Sequence, residues 1–250
     1  MNQILYKYVG VGGLDILEAL RLKISSPVGF NDPFEFAPLF KKPTVSVVQQ
    51  TNKMNLPPDV LERFSNLFVS NWGEEEIRWL RATHRKFVDE NFGVICLSDK
   101  NDDLLMWAHY ADHHRGLCIG FDFSQFAIPI EIHPVNYSDD RPELDTDSCF
   151  LGLQQVDNAR RVVYTKSSHW QYECEFRAFF GNLGKSRPAF LFLPPRAIHR
   201  VILGLRTESH AEQSVRRLLS MPTLDHVALF QAQADTRRFG IQLVLVPRPY

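Results

Sequence analysis

One stretch near the middle of the chain, Asp102 to Phe123, constrains the fold most, because it contains the signals of a helix, a stop and a strand in succession. Three residues offer N-cap side chains, Asn101, Asp102 and Asp103, and the apolar residues that follow recur at helical spacing. Gly116 is predicted to end this helix. From Leu117 to Phe123 apolar residues alternate with small or polar ones, which is typical of a strand with one buried face. The stretch therefore predicts a helix that leads directly into a strand of the core.

The predicted helix also carries side chains that its buried stripe does not use. Met106, His109, Tyr110 and His113 share a second stripe, and this density of imidazole and phenol groups suggests a functional site. Two histidines four residues apart can bind one metal ion, but HYADH lacks the glutamate that makes HExxH a hydrolase signature. We therefore expect no metal here. His109 or His114 is interpreted as a hydrogen-bonding or proton-transfer residue, or as the polar end of a helix.

The rest of the chain predicts a single α+β domain. With 250 residues and 44% hydrophobic content, the chain can bury a sizeable core. Strand-like and helical segments alternate, and we expect roughly eight strands in a mixed or largely antiparallel central sheet with inserted helices. The domain is predicted to span 1–250, with a helical insertion over 41–91. Four segments are predicted to share the sheet, namely Leu5–Val9, Val94–Ser98, Leu117–Phe123 and Tyr172–Phe180.

Composition excludes several classes of protein. The formal net charge of -1 lacks the basic bias of most nucleic-acid-binding domains, so any such contact would be local. The sequence shows neither an apolar run long enough for a membrane span nor a secretory signal, which predicts a cytoplasmic protein without a membrane partner. The four cysteines are scattered without a CxxC pair, so we expect neither a cysteine zinc site nor a disulfide framework.

A second informative stretch, Lys166 to Phe180, reads KSSHWQYECEFRAFF. Read with a period of two, Glu173, Glu175 and Arg177 share one strand face, with the carboxylates about 7 Å apart. Like charges this close raise at least one pKa, whereas an adjacent arginine lowers it. Such a pair can stabilise positive charge that develops at an anomeric carbon. The alternative is a solvated strand face with a surface ion pair.

Two further features predict the wall of a pocket. Trp170 and Tyr172 flank the charged face, and aromatic side chains in such places often form flat pocket walls. Asn31 and Asp32 stand before Pro33. This position favours either an Asx-turn that fixes the loop or a polar lip on a pocket.

Five motifs together resemble a bacterial family catalogued as domain of unknown function 2971. They are LYKY, SSPVGFNDPFE, MWAHYADHHRGLCIGFD, VNY and the run through HWQYECEFR. The resemblance spans most of the chain, apart from about 41–91 and the segment after 205. The family name itself implies no activity.

A looser likeness is to the layout of ADP-ribosyltransferases. The chain is similar in its N-terminal aromatic strand, its helix, its strand ending in Ser-Ser and its late strand with an ExE pair. That likeness implies a split sheet that grips NAD, with Glu175 or Glu173 on the ribose. It further implies that Ser25 or Ser26 supports this glutamate. On the first strand, the residue that contacts the phosphate or adenosine side of NAD would be Tyr6, Lys7 or Tyr8.

The expected function is that of a nucleotide-binding enzyme similar to ADP-ribosyltransferases, with NAD as substrate and a protein or nucleic acid as acceptor. A non-catalytic sensor or interaction module of bacterial defence or stress response is the alternative, and a metal-dependent hydrolase or nuclease is the third. The expected catalytic residues are Glu175, Glu173 and His109. The residues expected to bind NAD are Tyr6, Lys7, Ser25, Asn31, Tyr110, Trp170 and Arg177.

Overall fold

An eight-stranded sheet forms the centre of the chain in the computed structural model, which describes residues 3–41, 58–59, 73–145, 160–181, 183 and 188–247. The strands, in chain order, are β1 Ile4–Val9, β2 Arg21–Ile24, β3 Leu39–Lys41, β4 Gly93–Ser98, β5 Leu117–Asp122, β6 Ile132–Pro134, β7 Asn136–Ser138, β8 Glu143–Asp145, β9 Thr165–Ser167, β10 Glu175–Phe180, β11 Ala189–Phe192, β12 Ile198–Leu203, β13 Ala228–Ala234 and β14 Ile241–Leu245. The helices are α1 Leu14–Ala19, α2 Glu74–Asn91, α3 Leu104–Tyr110 and α4 Ser209–Leu219, and short 3-10 turns span Val11–Gly13, Pro27–Gly29, Phe123–Gln125, Ser168–Glu173 and Pro195–Ala197.

The strand order of the central sheet is β14-β13-β12-β5-β1-β4-β10-β6. Neighbouring strands run antiparallel throughout, except that β12 and β13 are parallel. The predicted α+β fold with a mixed, largely antiparallel sheet is confirmed. Each of the four segments predicted to share a sheet supplies one of its strands. Three two-stranded sheets, β2 with β11, β3 with β8 and β7 with β9, lie beside it.

Both faces of the central sheet are covered, because the side chains of a strand alternate between its two sides. Leu5 packs into one core cluster with Ile119 and with Val215 of α4. Tyr6, the next residue along β1, belongs to a different cluster with Trp107 of α3. The helices α1 and α4 therefore cover one face, and α3 covers the other.

The face of β10 that carries charge is buried, and this corrects the alternative of a solvated strand face. Phe176, Ala178 and Phe180 point to the first core cluster, as their period predicts. On the opposite face Glu175 is only 4% exposed and Arg177 is fully buried. The strand also begins at Glu175, later than the predicted Tyr172–Phe180, because the preceding residues form a 3-10 turn.

The central helix is shorter than predicted. Asp103 caps it as expected, since its carboxylate accepts the backbone N–H groups of Leu105 and Met106. The helix ends at Tyr110 rather than at Gly116. His113 therefore lies outside the helix, so it does not share a helical face with His109.

A strained turn replaces the missing part of the helix. Asp112, His113 and His114 have φ angles of 46°, 54° and 69°, in the left-handed region that is unfavourable for residues with a Cβ. Tight packing behind the turn holds this conformation in place. A Cβ on Gly116 would lie 2.0 Å from the carbonyl oxygen of Val9, so only glycine fits at this position.

Most of the described residues in the predicted helical insertion over 41–91 are helical, but Lys41 ends strand β3. Glu74–Asn91 forms α2, and residues 58–59 are also helical. The predicted helical residues in 42–57 and 60–72 lie outside the described part of the chain. Among the helices that the structure describes, none is both long and apolar enough to cross a membrane.

Candidate functional site

Five charged side chains meet on the second face of the sheet, and we call Glu35, Lys166, Glu173, Glu175 and Arg177 the ion cluster. The ammonium nitrogen of Lys166 lies 2.9 Å from Oε1 of Glu35, 2.5 Å from Oε2 of Glu173 and 3.0 Å from Oε2 of Glu175. All of these side chains are at most 5% exposed. Three carboxylates face two cations, so the fully ionised ion cluster has a formal charge of -1.

Arg177 binds two of the carboxylates. Its Nε and Nη2 atoms donate to Oε1 and Oε2 of Glu175 at 2.7 and 2.9 Å, a bidentate arrangement. Nη2 also donates to Oε2 of Glu35 at 2.7 Å, and Nη1 donates to the carbonyl oxygen of Val163 at 2.5 Å. Each nitrogen of the Arg177 guanidinium therefore donates at least one hydrogen bond despite complete burial, which offsets the cost of burying the charge.

The loop before β3 delivers Glu35 to the ion cluster. The carboxylate of Asp32 accepts the backbone N–H of Phe34 at 2.8 Å, and the N–H of Glu35 donates to the carbonyl oxygen of Asp32 at 3.2 Å. These bonds confirm the predicted Asx-turn. The ring of Phe36 then lies 5.5 Å from the Arg177 guanidinium, which anchors the loop on the apolar side.

A break in backbone conformation brings the two neighbouring glutamates to one ammonium group. Cys174 has a φ of 42°, a left-handed conformation between the 3-10 turn and β10. The carboxylates of Glu173 and Glu175 consequently both contact Lys166, which places them closer together than the about 7 Å of alternate strand residues. Ser98 fixes the turn, since its hydroxyl donates to the carbonyl oxygen of Glu173 at 2.6 Å.

The two carboxylates have opposite pKa shifts. Burial raises the pKa of Glu173, and its bonds to Lys166 and Tyr110 offset this only in part. Burial also acts on Glu175, but Arg177 and Lys166 outweigh it and lower the pKa to about 2. Pairs of groups whose pKa values are pushed apart are typical of acid/base sites. Glu175 is therefore a fixed negative charge at neutral pH, whereas Glu173 is the group suited to exchange a proton.

Glu173 also retains capacity to accept further hydrogen bonds. The Tyr110 hydroxyl donates to Oε1 at 2.6 Å, and Lys166 donates to Oε2. Each carboxylate oxygen can accept two hydrogen bonds, so each oxygen of Glu173 has one acceptor position left. On Glu175, Oε2 accepts from both Lys166 and Arg177. A ligand hydroxyl would therefore find its acceptor on Glu173.

A cavity of about 250 Å³ opens onto the ion cluster, and we call it the main cavity. Aromatic rings, hydroxyl groups and carboxylates form its wall, a combination suited to a small ligand with a ring and several hydroxyls. Its lining includes Tyr6, Lys7, Tyr8, Ser25, Phe30, Asn31, Asp32, Glu35, Cys96, Ser98, Met106, Tyr110, Lys166, Trp170, Glu173 and Glu175.

Most of the residues predicted as a site lie together in this wall. Both predicted glutamates and all but one of the predicted NAD-binding residues line the main cavity. Arg177 is the exception, since it lies behind Glu175 in the buried ion cluster. His109 is exposed outside the cavity wall, with its ring 6.4 Å from that of Tyr172. Its catalytic role stays a prediction.

Sequence reasoning did not assign a role to Glu35 or Lys166. Both residues occur in the motifs that were singled out, FNDPFE and KSSHWQYECEFR. The signal that was available is the pair Glu173 and Glu175 beside the single cation Arg177, because a buried pair of carboxylates needs a further cation and Lys166 stands in the same run.

The ammonium group of Lys166 occupies the point where the three glutamates converge. Across the described residues, no group of three or more His, Cys, Asp or Glu side chains is arranged to hold a metal ion. Within that part of the chain, the carboxylates of the ion cluster are held by Lys166 and Arg177.

Comparison with known proteins gives one match. Residues 106–178 match a family model described as "Protein of unknown function (DUF2971)". The matched segment contains Tyr110, Lys166, Glu173, Glu175 and Arg177. Searches of curated proteins and of solved structures gave no match.

Proposed function

We propose that this chain is a nucleotide-binding enzyme that cleaves the N-glycosidic bond of NAD and transfers the ADP-ribosyl group to an acceptor. One observation carries the proposal. Glu173, with a raised pKa and free acceptor positions, lies on the wall of a cavity beside Glu175, whose pKa is about 2.

In the proposed reaction Glu173 contacts the reacting groups, whereas Glu175 positions its neighbours. The bond between the anomeric carbon and the nicotinamide nitrogen breaks, and nicotinamide leaves with the electron pair, so positive charge develops on the ribose. The carboxylate of Glu173 accepts a hydrogen bond from a ribose hydroxyl and so stabilises this charge. The hydroxyl of the acceptor, or water, then forms a bond to the anomeric carbon and releases its proton to Glu173. Glu175 holds Lys166 and Arg177 in place.

The size of the main cavity decides which part of NAD enters it. Ligand pockets for drug-sized molecules are about 300–1,000 Å³, and the main cavity is about 250 Å³. We therefore place only the nicotinamide and its ribose inside, between Trp170 and the tyrosines of β1. The adenosine half extends through the opening.

The test is nicotinamide release by wild type and by Glu173→Gln. The amide keeps the shape of the side chain, because its oxygen accepts from Lys166 and its nitrogen donates to the oxygen of Tyr110. We expect turnover to fall about a hundredfold or more, with the melting temperature little changed. Glu131→Gln is the matched control, because the same change is made on a side chain that is 75% exposed. Release of no nicotinamide by wild type, with water or with any protein or nucleic acid acceptor, would contradict the proposal.

A second candidate function is that of a non-catalytic sensor or interaction module. The observation that favours it is that the ion cluster joins a distant loop to β10, since Glu35 pairs with Arg177. In this role the charges stabilise the fold, and Glu173→Gln alters stability alone. A thermal-shift titration with NAD and ADP-ribose separates the two functions, because a ligand that binds the folded state raises the melting temperature.

A further inference from the structure

A second cavity, of about 320 Å³, adjoins the main cavity. Three arginines lie in its wall, Arg81 and Arg85 on α2 and Arg141 between β7 and β8, together with the rings of Phe34 and Phe40. We call it the arginine pocket. Arg81 and Arg85 are four residues apart, so they project from the same side of α2.

The charge of Arg141 is poorly compensated. Its Nε atom is buried and has no hydrogen-bond partner among the residues that the structure describes. Its guanidinium lies 5.3 Å from the centre of the Phe34 ring, which offers no hydrogen-bond acceptor of the usual kind. An N–H group buried without a partner costs free energy that a bound acceptor would recover.

The charged neighbours of Arg141 are of both signs. Burial, together with the nearby charge of Arg81, lowers the pKa of Arg141, and Asp32 acts in the opposite direction. Asp32 is the acidic neighbour that opposes this shift, and its Oδ1 accepts the N–H of Phe34. His84 adds no positive charge at neutral pH, because burial lowers its pKa to about 4. The arginines therefore supply the positive charge of this pocket.

An oxyanion fits these features better than a neutral ligand does. It would accept a hydrogen bond from Nε of Arg141 and reduce the repulsion between Arg141 and Arg81. Guanidinium groups bind phosphate through paired, charge-assisted hydrogen bonds. The exposed ring of Phe34, which is 62% accessible to solvent, adds a flat surface at the same place.

The two cavities share one loop. Phe30, Asp32 and Glu35 line both of them. The two cavities therefore adjoin at this loop, next to the ion cluster on one side and the arginines on the other.

We propose that the arginine pocket binds the phosphate group of a nucleotide whose ring and ribose occupy the main cavity. The inference rests on the proposed function for the identity of the ring and ribose. The part of the inference that is independent of that function is the phosphate site formed by Arg81 and Arg141.

The experiment compares two ligands that differ by one phosphate, nicotinamide mononucleotide and nicotinamide riboside. Their affinities are measured by calorimetry for wild type, Arg81→Met and Arg141→Met. We expect wild type to bind the mononucleotide at least tenfold more tightly, and we expect either substitution to remove most of this difference while the riboside affinity changes less than twofold. Added salt should weaken binding of the mononucleotide more than that of the riboside.

Arg78→Met is the matched control, because it removes the same charge from α2 at a residue outside the pocket wall. It should keep the tenfold discrimination. Should Arg141→Met fail to fold, Arg81→Met and Arg141→Lys test the site, with Lys expected to retain part of the discrimination. Equal affinity of wild type for both ligands, no binding of either one, or unchanged discrimination in Arg81→Met overturns the inference.

Binding is also measured in Glu173→Gln, in which the ligand is expected to be consumed about a hundredfold more slowly than in wild type. This separates the two proposals. If wild type binds the mononucleotide more tightly than the riboside but never releases nicotinamide, the proposed reaction is contradicted and the proposed phosphate site is supported. If nicotinamide is released but the two ligands bind with equal affinity, the proposed phosphate site is contradicted.

Discussion

The hydroxyl of Tyr110 donates a 2.6 Å hydrogen bond to Oε1 of Glu173 and so joins the end of α3 to the turn before β10. Burial and the Glu173 carboxylate raise the pKa of Tyr110, which keeps its proton and acts as a donor. The same bond lowers the pKa of Glu173 against the effect of burial. Tyr110 therefore acts together with Lys166 to favour the carboxylate form of Glu173.

Tyr110→Phe should raise the pKa of Glu173, because the substitution removes a donor that favours the carboxylate form. The measurement is a ¹³C NMR titration of labelled glutamate side chains, which needs no catalytic activity. Tyr172→Phe is the control, since it removes the same hydroxyl from a neighbouring tyrosine that packs against His109. A Glu173 titration that is the same in Tyr110→Phe and wild type would show that the bond is absent in solution.

Glu175→Gln should destabilise the fold strongly. The substitution removes the charge that Arg177 and Lys166 both contact, and breaking a buried ion pair from one side costs about 3–5 kcal/mol. For a chain of this size the melting temperature should fall by about 2–4 °C for each kcal/mol. Calorimetry or urea unfolding measures the effect.

Arg177→Met should be more destabilising still, because two carboxylates, those of Glu35 and Glu175, lose one of the two cations that they share and keep only Lys166. Glu131→Gln, on the exposed surface, should stay within about 0.5 kcal/mol of wild type. A change of that small size in Glu175→Gln would mean that the charged face of β10 is solvated after all.

Stability should depend on pH in opposite directions through the two glutamates. The pKa of Glu175 falls from 4.5 to about 2 on folding, so its contribution is present above pH 4.5 and is lost as the pH falls towards 2. The pKa of Glu173 is raised, so its contribution is present below its ordinary pKa of 4.5 and is lost as the pH rises through the folded value.

The difference in unfolding free energy between wild type and each variant isolates these contributions. Plotted from pH 2 to 8, the Glu175→Gln difference should grow as the pH rises from about 2 to 4.5. The unfolding free energy of Glu173→Gln should rise relative to that of wild type as the pH rises above 4.5. Two difference curves of the same slope would contradict the opposite pKa shifts.

Gly116→Ala should disrupt the turn after α3. The added Cβ would lie 2.0 Å from the carbonyl oxygen of Val9, and backbone has to move to relieve such a contact. We expect a loss of about 2 kcal/mol or more in urea unfolding. Gly12→Ala is the control, because no atom lies within 4 Å of its Cβ position. Equal stability of the two variants would contradict the close approach.

Local periodicity was sufficient to predict the sheet. The alternation in Leu117–Phe123 predicted a strand, which the structure has at Leu117–Asp122, and the strand predicted at Leu5–Val9 is β1. Such patterns depend on residues close in the sequence. For the same reason the predicted end of α3 was wrong. The left-handed turn at Asp112–His114 leads into Gly116, which lies against the backbone of Val9, and Val9 is far away in the chain.

The candidate site was predicted only in part. Spacing correctly placed Glu175 and Arg177 on one side of β10, but it could not indicate whether that side is buried. Burial depends on Glu35 and Lys166, whose contacts with the glutamates no local pattern encodes. The left-handed conformation at Cys174, a residue type that seldom adopts it, was also not predictable.

The ion pair between Arg177 and Glu35 joins residues 142 positions apart in the sequence. Closing so long a loop has an entropic cost, and contacts of this kind form slowly during folding. The segment 106–178 carries every other member of the ion cluster, yet it lacks Glu35 and the strands β1 and β4. We therefore expect ligand binding to appear only in the last kinetic phase of refolding, and we expect the isolated segment to bind no nucleotide.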